Sequence, residues 1–286
     1  MFNISAEKIS LWKEKQLLKG GDNLSLNLLV DLLGGLSIKE LNLHKIKSEK
    51  KVKLKIHLDQ LESFWNRHID TGIPIQYLSG TSYWRDLKLE VSNKVLIPRT
   101  ETELIIEIVL ERFQNKEEKI TFVDLGTGSG AICIALALAN PKWNGIATDI
   151  DKNAIEIASR NFTKNSNQSN LEFYNGNWWN PLESFKGEID LAIANPPYIP
   201  EETYEKLPLE VKNFEPKSSL LGGEDGLDHI KEIVQHAPSY LKEKGCLLIE
   251  NHFDQGERVK ELFIENRFTK VKVLKDFSGI GRFTIG

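Results

Sequence analysis

Between Ser5 and His68 apolar residues recur close to every 3.6 positions, as Ile9, Trp12 and Leu17 and then as Leu28, Leu29, Leu32 and Leu33. Breaks at Lys19-Gly20-Gly21-Asp22 and Gly34-Gly35 divide the pattern into short segments, which predicts a small all-α bundle. Thr71-Gly72-Ile73-Pro74 ends it, and beyond Gln76-Tyr77-Leu78-Ser79-Gly80 the period changes to two. Trp84, Leu87, Leu89 and Val91 alternate with polar residues, Ser92-Asn93 reads as a turn, and Val95 and Ile97 alternate again, as in a β-hairpin. Thr100 and Glu103 have capping-box spacing ahead of a helix through Ile105, Ile108 and Val109.

From Ile120 onward the two periods alternate. Strands are expected at Thr121 to Leu125, Ile146 to Thr148, Leu171 to Tyr174, Ile189 to Ala194 and Cys246 to Glu250, with helices between them. Lys270 to Val273 and Arg282 to Ile285 are expected to close one side as an antiparallel pair. Such alternation predicts an α/β architecture, a parallel sheet with helices on both faces. The chain thus divides into a helical part over residues 1–79, a hairpin over 80–98 and a sheet domain over 99–286.

The strand that organises this reading runs from Ile189 to Ala194 and stops at Asn195-Pro196-Pro197-Tyr198. Neither proline has an N–H for a ladder, and each pushes the residue before it toward extended backbone, so the chain must leave the sheet here. The Asn195 side-chain oxygen and the Pro196 carbonyl then form a pair of acceptors suited to a planar NH2 group, with the Tyr198 ring able to lie flat against it. Taken alone, a Pro-Pro pair is an ordinary strand terminator. Its company changes the reading.

Gly126-Thr127-Gly128-Ser129-Gly130 follows the first strand of the sheet and opens a helix, a turn that brings backbone N–H groups near a ligand. Asp149 closes the next strand, where an acid can accept both hydroxyls of a ribose. Gly126, Gly128 and Ala131 also fit a dinucleotide fingerprint, so the glycines alone do not separate NAD from S-adenosylmethionine. Asp124 favours the latter, because an anion there repels a pyrophosphate and attracts the ammonium of a methionine tail. No residue pairing for hydride transfer is recognisable.

Composition narrows the classes. The 286 residues carry a formal net charge of −4, which argues against a protein whose main work is coating nucleic acid. Lys45, Lys47, Lys50, Lys51, Lys53 and Lys55 form a basic stretch whose plain reading is a solvated helix face. Its functional reading is a surface for RNA or an acidic partner. The longest apolar run, Ala131 to Ala139, is far too short to span a bilayer and no signal peptide is evident, so a cytoplasmic protein is expected. Cys133 and Cys246, each within an apolar run, read as core residues, and the scattered histidines suggest no metal site.

Taken together these residues resemble the peptide chain release factor glutamine methyltransferases, also called the HemK family. The resemblance is carried by Gly72 to Gly80, Val95 to Arg99, Asp124 to Gly130, Asn195 to Tyr198, Phe214-Glu215-Pro216, Leu221 to Leu227 and Asp276 to Gly286. It covers the chain from about Thr71 to the end. It implies a Rossmann-like S-adenosylmethionine-dependent methyltransferase sheet, S-adenosylhomocysteine as product, and as substrate the Gly-Gly-Gln glutamine of class 1 release factors. The N-terminal part would dock that substrate.

By the resemblance Asp124, Gly126, Thr127, Gly128, Ser129, Gly130, Asp149, Asn177, Trp178 and Asn195 hold the cofactor. Asn195, Pro196, Pro197 and Tyr198 bind the glutamine, with Asn195, Pro196 and Tyr198 catalytic. Asn177 stands where relatives often have Asp, and Thr100 where they often have Pro; Asn251-His252 also departs from the usual residues. The Asn195 to Tyr198 tetrapeptide is shared with enzymes that methylate exocyclic amines of nucleic-acid bases, which keeps that activity as the alternative. A cofactor-dependent binding module and an NAD dehydrogenase are the remaining readings.

Overall fold

The computed structural model describes residues 1–37, 39–40, 51–113 and 119–286. By contacts the chain falls into two units, Met1–Thr81 with Leu209–Phe214, and Ser82–Pro208 with Glu215–Gly286.

The first unit holds helices α1 (Ala6–Leu17), α2 (Asn23–Leu32), α3 (Leu58–Thr71) and α4 (Ile75–Ser79). Ser5 caps α1 by accepting from Lys8 N, and Asp22 caps α2 by accepting from Leu24 N and Ser25 N, so the helix starts are set locally. Leu26, Leu29, Leu61 and Trp65 meet in its core. The expectation of an all-α part is corrected by a two-stranded ribbon, β1 (Phe2–Ser5) against β2 (Lys51–Leu54), antiparallel with Phe2 opposite Leu54. Val52 and Leu54 are buried while Lys51, Lys53 and Lys55 are exposed, a period of two that the lysine run masked. These lysines therefore face outward on a strand and its exit rather than along a helix; Lys45, Lys47 and Lys50 lie outside the described residues.

β3 (Thr81–Trp84), in the second unit from its second residue onward, pairs with β4 (Leu87–Glu90). The connection is Arg85-Asp86, with Arg85 at φ +50°, and not Ser92-Asn93; Val95 to Ile97 forms no strand. The Thr100 capping box is not formed either. Thr100 makes no side-chain cap bond to the short 3-10 turn Glu101–Glu103 that leads into α5 (Leu104–Arg112), and the Glu103 carboxylate accepts from Arg85 N instead.

The main sheet has the order β10-β11-β9-β8-β5-β6-β7, built from β5 (Thr121–Leu125), β6 (Asn144–Asp149), β7 (Leu171–Asn175), β8 (Ile189–Ala194), β9 (Leu241–Glu250), β10 (Lys272–Lys275) and β11 (Gly281–Ile285). Strands β5 to β9 are parallel, and β11 and β10 continue the sheet antiparallel. The parallel strands read as near-continuous apolar runs because both faces are covered. One face packs Phe122, Ile193 and Leu248 against Ile105, Ile134 and Trp143; the other packs Val123, Ala192 and Leu247 against Ile230, Val234 and Phe263.

The chain steps outward from β5 through β6 and β7, then returns to place β8 on the other side of β5. Ligands of open sheets bind at such a reversal, outside the carboxyl ends of the strands. The register pairs Leu125 with Ala194, so Gly126 and Asn195 leave the sheet side by side.

Candidate active site

The turn after β5 is tied down by its own neighbours. Gly126 N and Thr127 N both donate to Thr148 O, at 2.8 and 2.9 Å, Gly128 N donates to Asp149 Oδ2 at 2.9 Å, and Gly130 N donates to Thr127 O. Three of these N–H groups, those of Gly126, Thr127 and Gly128, fasten the turn to β6. What the glycines supply is shape. Gly126 sits at φ +74°, and a Cβ there would lie 2.8 Å from the Trp178 ring. Gly128, at φ +57°, would point a Cβ into open space.

Asp124 lies beneath this turn, 1% exposed. Its Oδ2 accepts from Thr127 Oγ1 at 2.6 Å and Cys133 N at 3.3 Å, and its Oδ1 is buried without a partner among the described residues. Burial pushes its pKa up to about 6. Asp149, at the end of β6, accepts from Gly128 N through Oδ2 and from Asp151 N through Oδ1. Burial raises its pKa as well.

A cleft of about 240 Å³ opens over these strand ends, and Thr127, Gly128, Ser129, Asp149, Asn177, Trp178 and Asn195 are among its walls. Asn177 donates from Nδ2 to Glu232 Oε1 at 2.8 Å, which leaves its Oδ1 as acceptor. Trp178 takes the left-handed φ of +43°, unusual for a tryptophan, with its ring edge-on to His229 at 5.6 Å.

On the other side, Asn195 Nδ2 donates to Thr102 Oγ1 at 3.1 Å, and Thr102 Oγ1 donates to Glu250 Oε2 at 2.8 Å. Tyr198 OH donates to Glu250 Oε1 at 3.1 Å. Glu250 is 1% exposed, and burial pushes its pKa up to about 7. No described residue donates to the Asn195 side-chain oxygen or to the Pro196 carbonyl.

The path after the prolines is held by backbone. Ile199 N donates to Leu220 O and Gly222 N to Ile199 O, both at 2.9 Å, and Gln255 Nε2 donates to Tyr198 O at 3.0 Å. Gly226 lets these segments approach: a Cβ there would lie 2.3 Å from Tyr198 O.

Of the residues read from the sequence, Gly126, Thr127, Gly128, Ser129, Asp149, Asn177, Trp178, Asn195 and Pro197 line the one cleft. Asp124, Gly130, Pro196 and Tyr198 are not on its wall. Asp124 and Gly130 shape the turn from below, while the Tyr198 hydroxyl donates to Glu250. Sequence reading missed Thr102, Glu250 and the Arg99–Glu215 ion pair, in which Glu215 is buried and Arg99 lines the cleft. A signal for Glu250 existed: a carboxylate directly after the apolar run Cys246 to Ile249 cannot easily reach water.

Residues 102–208 match the Methyltransferase small domain family. A release factor glutamine methyltransferase of Prochlorococcus marinus is 39% identical over 280 residues, covering 98% of this chain and 96% of that protein. The protein of the same name from Thermosynechococcus vestitus is 37% identical over 252 residues, covering 88% and 86%. In fold the chain is similar to a methyltransferase from Pyrococcus furiosus, with a TM-score of 0.51 at 22% identity over 70% of this chain and 88% of that one. No helix among the described residues is long and apolar enough to cross a membrane. With a glycine turn, a strand-end acid and the Asn195 exit around one cleft, and with this degree of identity over nearly its whole length, the chain belongs to the release factor glutamine methyltransferase family.

Proposed function

We propose that this protein methylates the side-chain amide nitrogen of the glutamine in the Gly-Gly-Gln motif of class 1 peptide chain release factors, in the cytoplasm. The observation that carries the reading is the pairing of Leu125 with Ala194, which brings the glycine turn and the Asn195 carboxamide to one cleft.

The residues present fit S-adenosylmethionine. Each Asp149 oxygen takes one backbone N–H and keeps a lone pair for a ribose hydroxyl, Asn177 Oδ1 suits an adenine amine, and the Trp178 ring suits the adenosine portion. The cleft leaves open space over Gly128. When bound, the cofactor supplies a methyl group already activated on a sulfonium sulfur, with S-adenosylhomocysteine as the leaving group.

An amide nitrogen is a weak nucleophile because its lone pair is delocalised into the carbonyl. Asn195 Oδ1, on the cleft wall, accepts one N–H of the substrate amide, and the Pro196 carbonyl, set back from the wall and without a donor among the described residues, is the acceptor the resemblance assigns to the other; together they stabilise the positive charge that develops on nitrogen during attack, until one N–H proton is released to solvent. Their fixed positions also orient the amide, an effect that can supply about 7–11 kcal/mol of a barrier. The N-terminal unit docks the protein substrate in this reading.

Incubation with a release factor and labelled cofactor, followed by peptide mass measurement, is expected to find one added methyl on the motif glutamine. Absence of transfer, or methyl groups on RNA or DNA alone, overturns the assignment.

A further inference from the structure

A carboxamide has two ends of nearly equal shape, and only the oxygen end of Asn195 can accept an N–H from a substrate amide. We infer that Thr102 and Glu250 are positioning residues that hold the Asn195 carboxamide with its oxygen toward the acceptor, by fixing the direction of a hydrogen-bond chain. This rests on the role assigned to Asn195 above.

The direction follows from counting protons. An ionised carboxylate only accepts, so the single Thr102 hydroxyl proton goes to Glu250 Oε2 at 2.8 Å. The hydroxyl oxygen is then left to accept from Asn195 Nδ2 at 3.1 Å, which commits the NH2 end inward and Oδ1 outward. Tyr198 OH, donating to the other carboxylate oxygen at 3.1 Å, does not compete for the first. Thr102 and Glu250 lie 93 and 55 positions from Asn195, on the 3-10 turn before α5 and at the end of β9, so the chain joins separate elements.

A protonated Glu250 reverses this logic. It can donate to Thr102, whose hydroxyl proton is then released to turn toward Asn195, and this favours a carboxamide with its oxygen to Thr102 and its NH2 to the cleft. An NH2 group cannot accept the substrate N–H.

The charged groups facing Glu250 act in both directions. Glu101 opposes its ionisation, and Arg282 on β11, itself paired with Asp276 at 2.8 Å, favours it. Tyr198 is raised above its ordinary range by burial and stays a neutral donor, with Arg99 as well as Arg282 pulling it the other way. The His252 ring lies 6.1 Å from that of Tyr198 and is paired with Asp254. Burial outweighs the rest at Glu250, so its acid form is populated just below neutral pH.

The test compares wild type, Thr102→Val, Thr102→Ser, Glu250→Gln and Asn195→Ala by kcat/KM toward a release factor from pH 6 to 9, with cofactor Kd measured alongside. Wild-type kcat/KM is expected to fall about tenfold per pH unit below about pH 7. Thr102→Val is expected to lose about 10–100-fold in kcat/KM with little change in cofactor Kd, and Thr102→Ser to recover most of that. Glu250→Gln is expected to be slower and to lack the acid limb. A Glu250→Gln variant that keeps the wild-type acid limb, or a folded Thr102→Val variant at wild-type rate, overturns the inference; should Thr102→Val not fold, the Glu250→Gln profile decides. If Asn195→Ala itself transfers at the wild-type rate, it is the underlying role of Asn195 that fails.

Discussion

Two adjacent strand ends face the same cleft and are built by opposite means. At the end of β5 the backbone does the work: Gly126 N and Thr127 N reach Thr148 O, Gly128 N reaches Asp149, and the participants lie within about 25 positions of one another. At the end of β8 the work falls to side chains from far along the sequence, Thr102 on Asn195, Glu250 on Thr102 and Gln255 on the Tyr198 carbonyl. The first wall is a local motif that, in the function proposed, holds the cofactor by shape. The second is a long-range assembly that sets the direction of a single polar group.

That contrast predicts separable losses. The largest is expected from Asn195→Ala, which removes one acceptor at the reacting nitrogen: transfer should fall about 10²–10³-fold, with cofactor affinity by calorimetry nearly unchanged. Parallel losses in both would erase the distinction between the walls. Gly226→Ala comes next. Its Cβ would press on Tyr198 O at 2.3 Å from a backbone at φ +76°, costing about 1–3 kcal/mol of strain, and should lower the melting temperature and slow transfer.

Gly126→Ala probes the other wall, with φ +74° and the Trp178 ring 2.8 Å from the new carbon. Strain of about 1–2 kcal/mol there should weaken cofactor binding about tenfold and be visible by titration calorimetry. The smallest effect is expected at Asn177. Asp at this position would put a carboxylate against Glu232 Oε1, 2.8 Å from the present Nδ2. Asn177→Asp should therefore weaken cofactor binding by a few-fold, about 0.5–1 kcal/mol, and adding Glu232→Gln should reverse it. Binding restored by the second substitution would show that Asn177 and Glu232 are matched to each other in this chain.

The same contrast explains what was legible in advance. The parallel sheet, the Gly126 to Gly130 turn and the Asn195 to Tyr198 exit could be read because each depends on neighbours in sequence: apolar runs, glycines at a turn, prolines that cannot join a ladder. The ribbon of β1 and β2 is hidden in the sequence because Lys51, Lys53 and Lys55 make a run of charge in which only Val52 and Leu54 carry the period. The hairpin turn was misplaced because Arg85, lacking the glycine or asparagine usual at positive φ, gave no local sign. The Thr102 hydroxyl has no local partner among the described residues to mark it, and its bond to Glu250 spans 148 positions. Pairings of that range become visible only when the sheet register brings β5, β8 and β9 together.

An acceptor pair has a further chemical consequence. Glutamate differs from glutamine by exchanging NH2 for oxygen, and it would bring lone pairs against the lone pairs of Asn195 Oδ1 and the Pro196 carbonyl. A site built around a donor rejects a ligand that lacks one by about 10⁴–10⁵-fold, far beyond what fit alone provides. A deamidated target would thus pass unmodified, and the methyl mark would certify that the residue beneath it was still an amide.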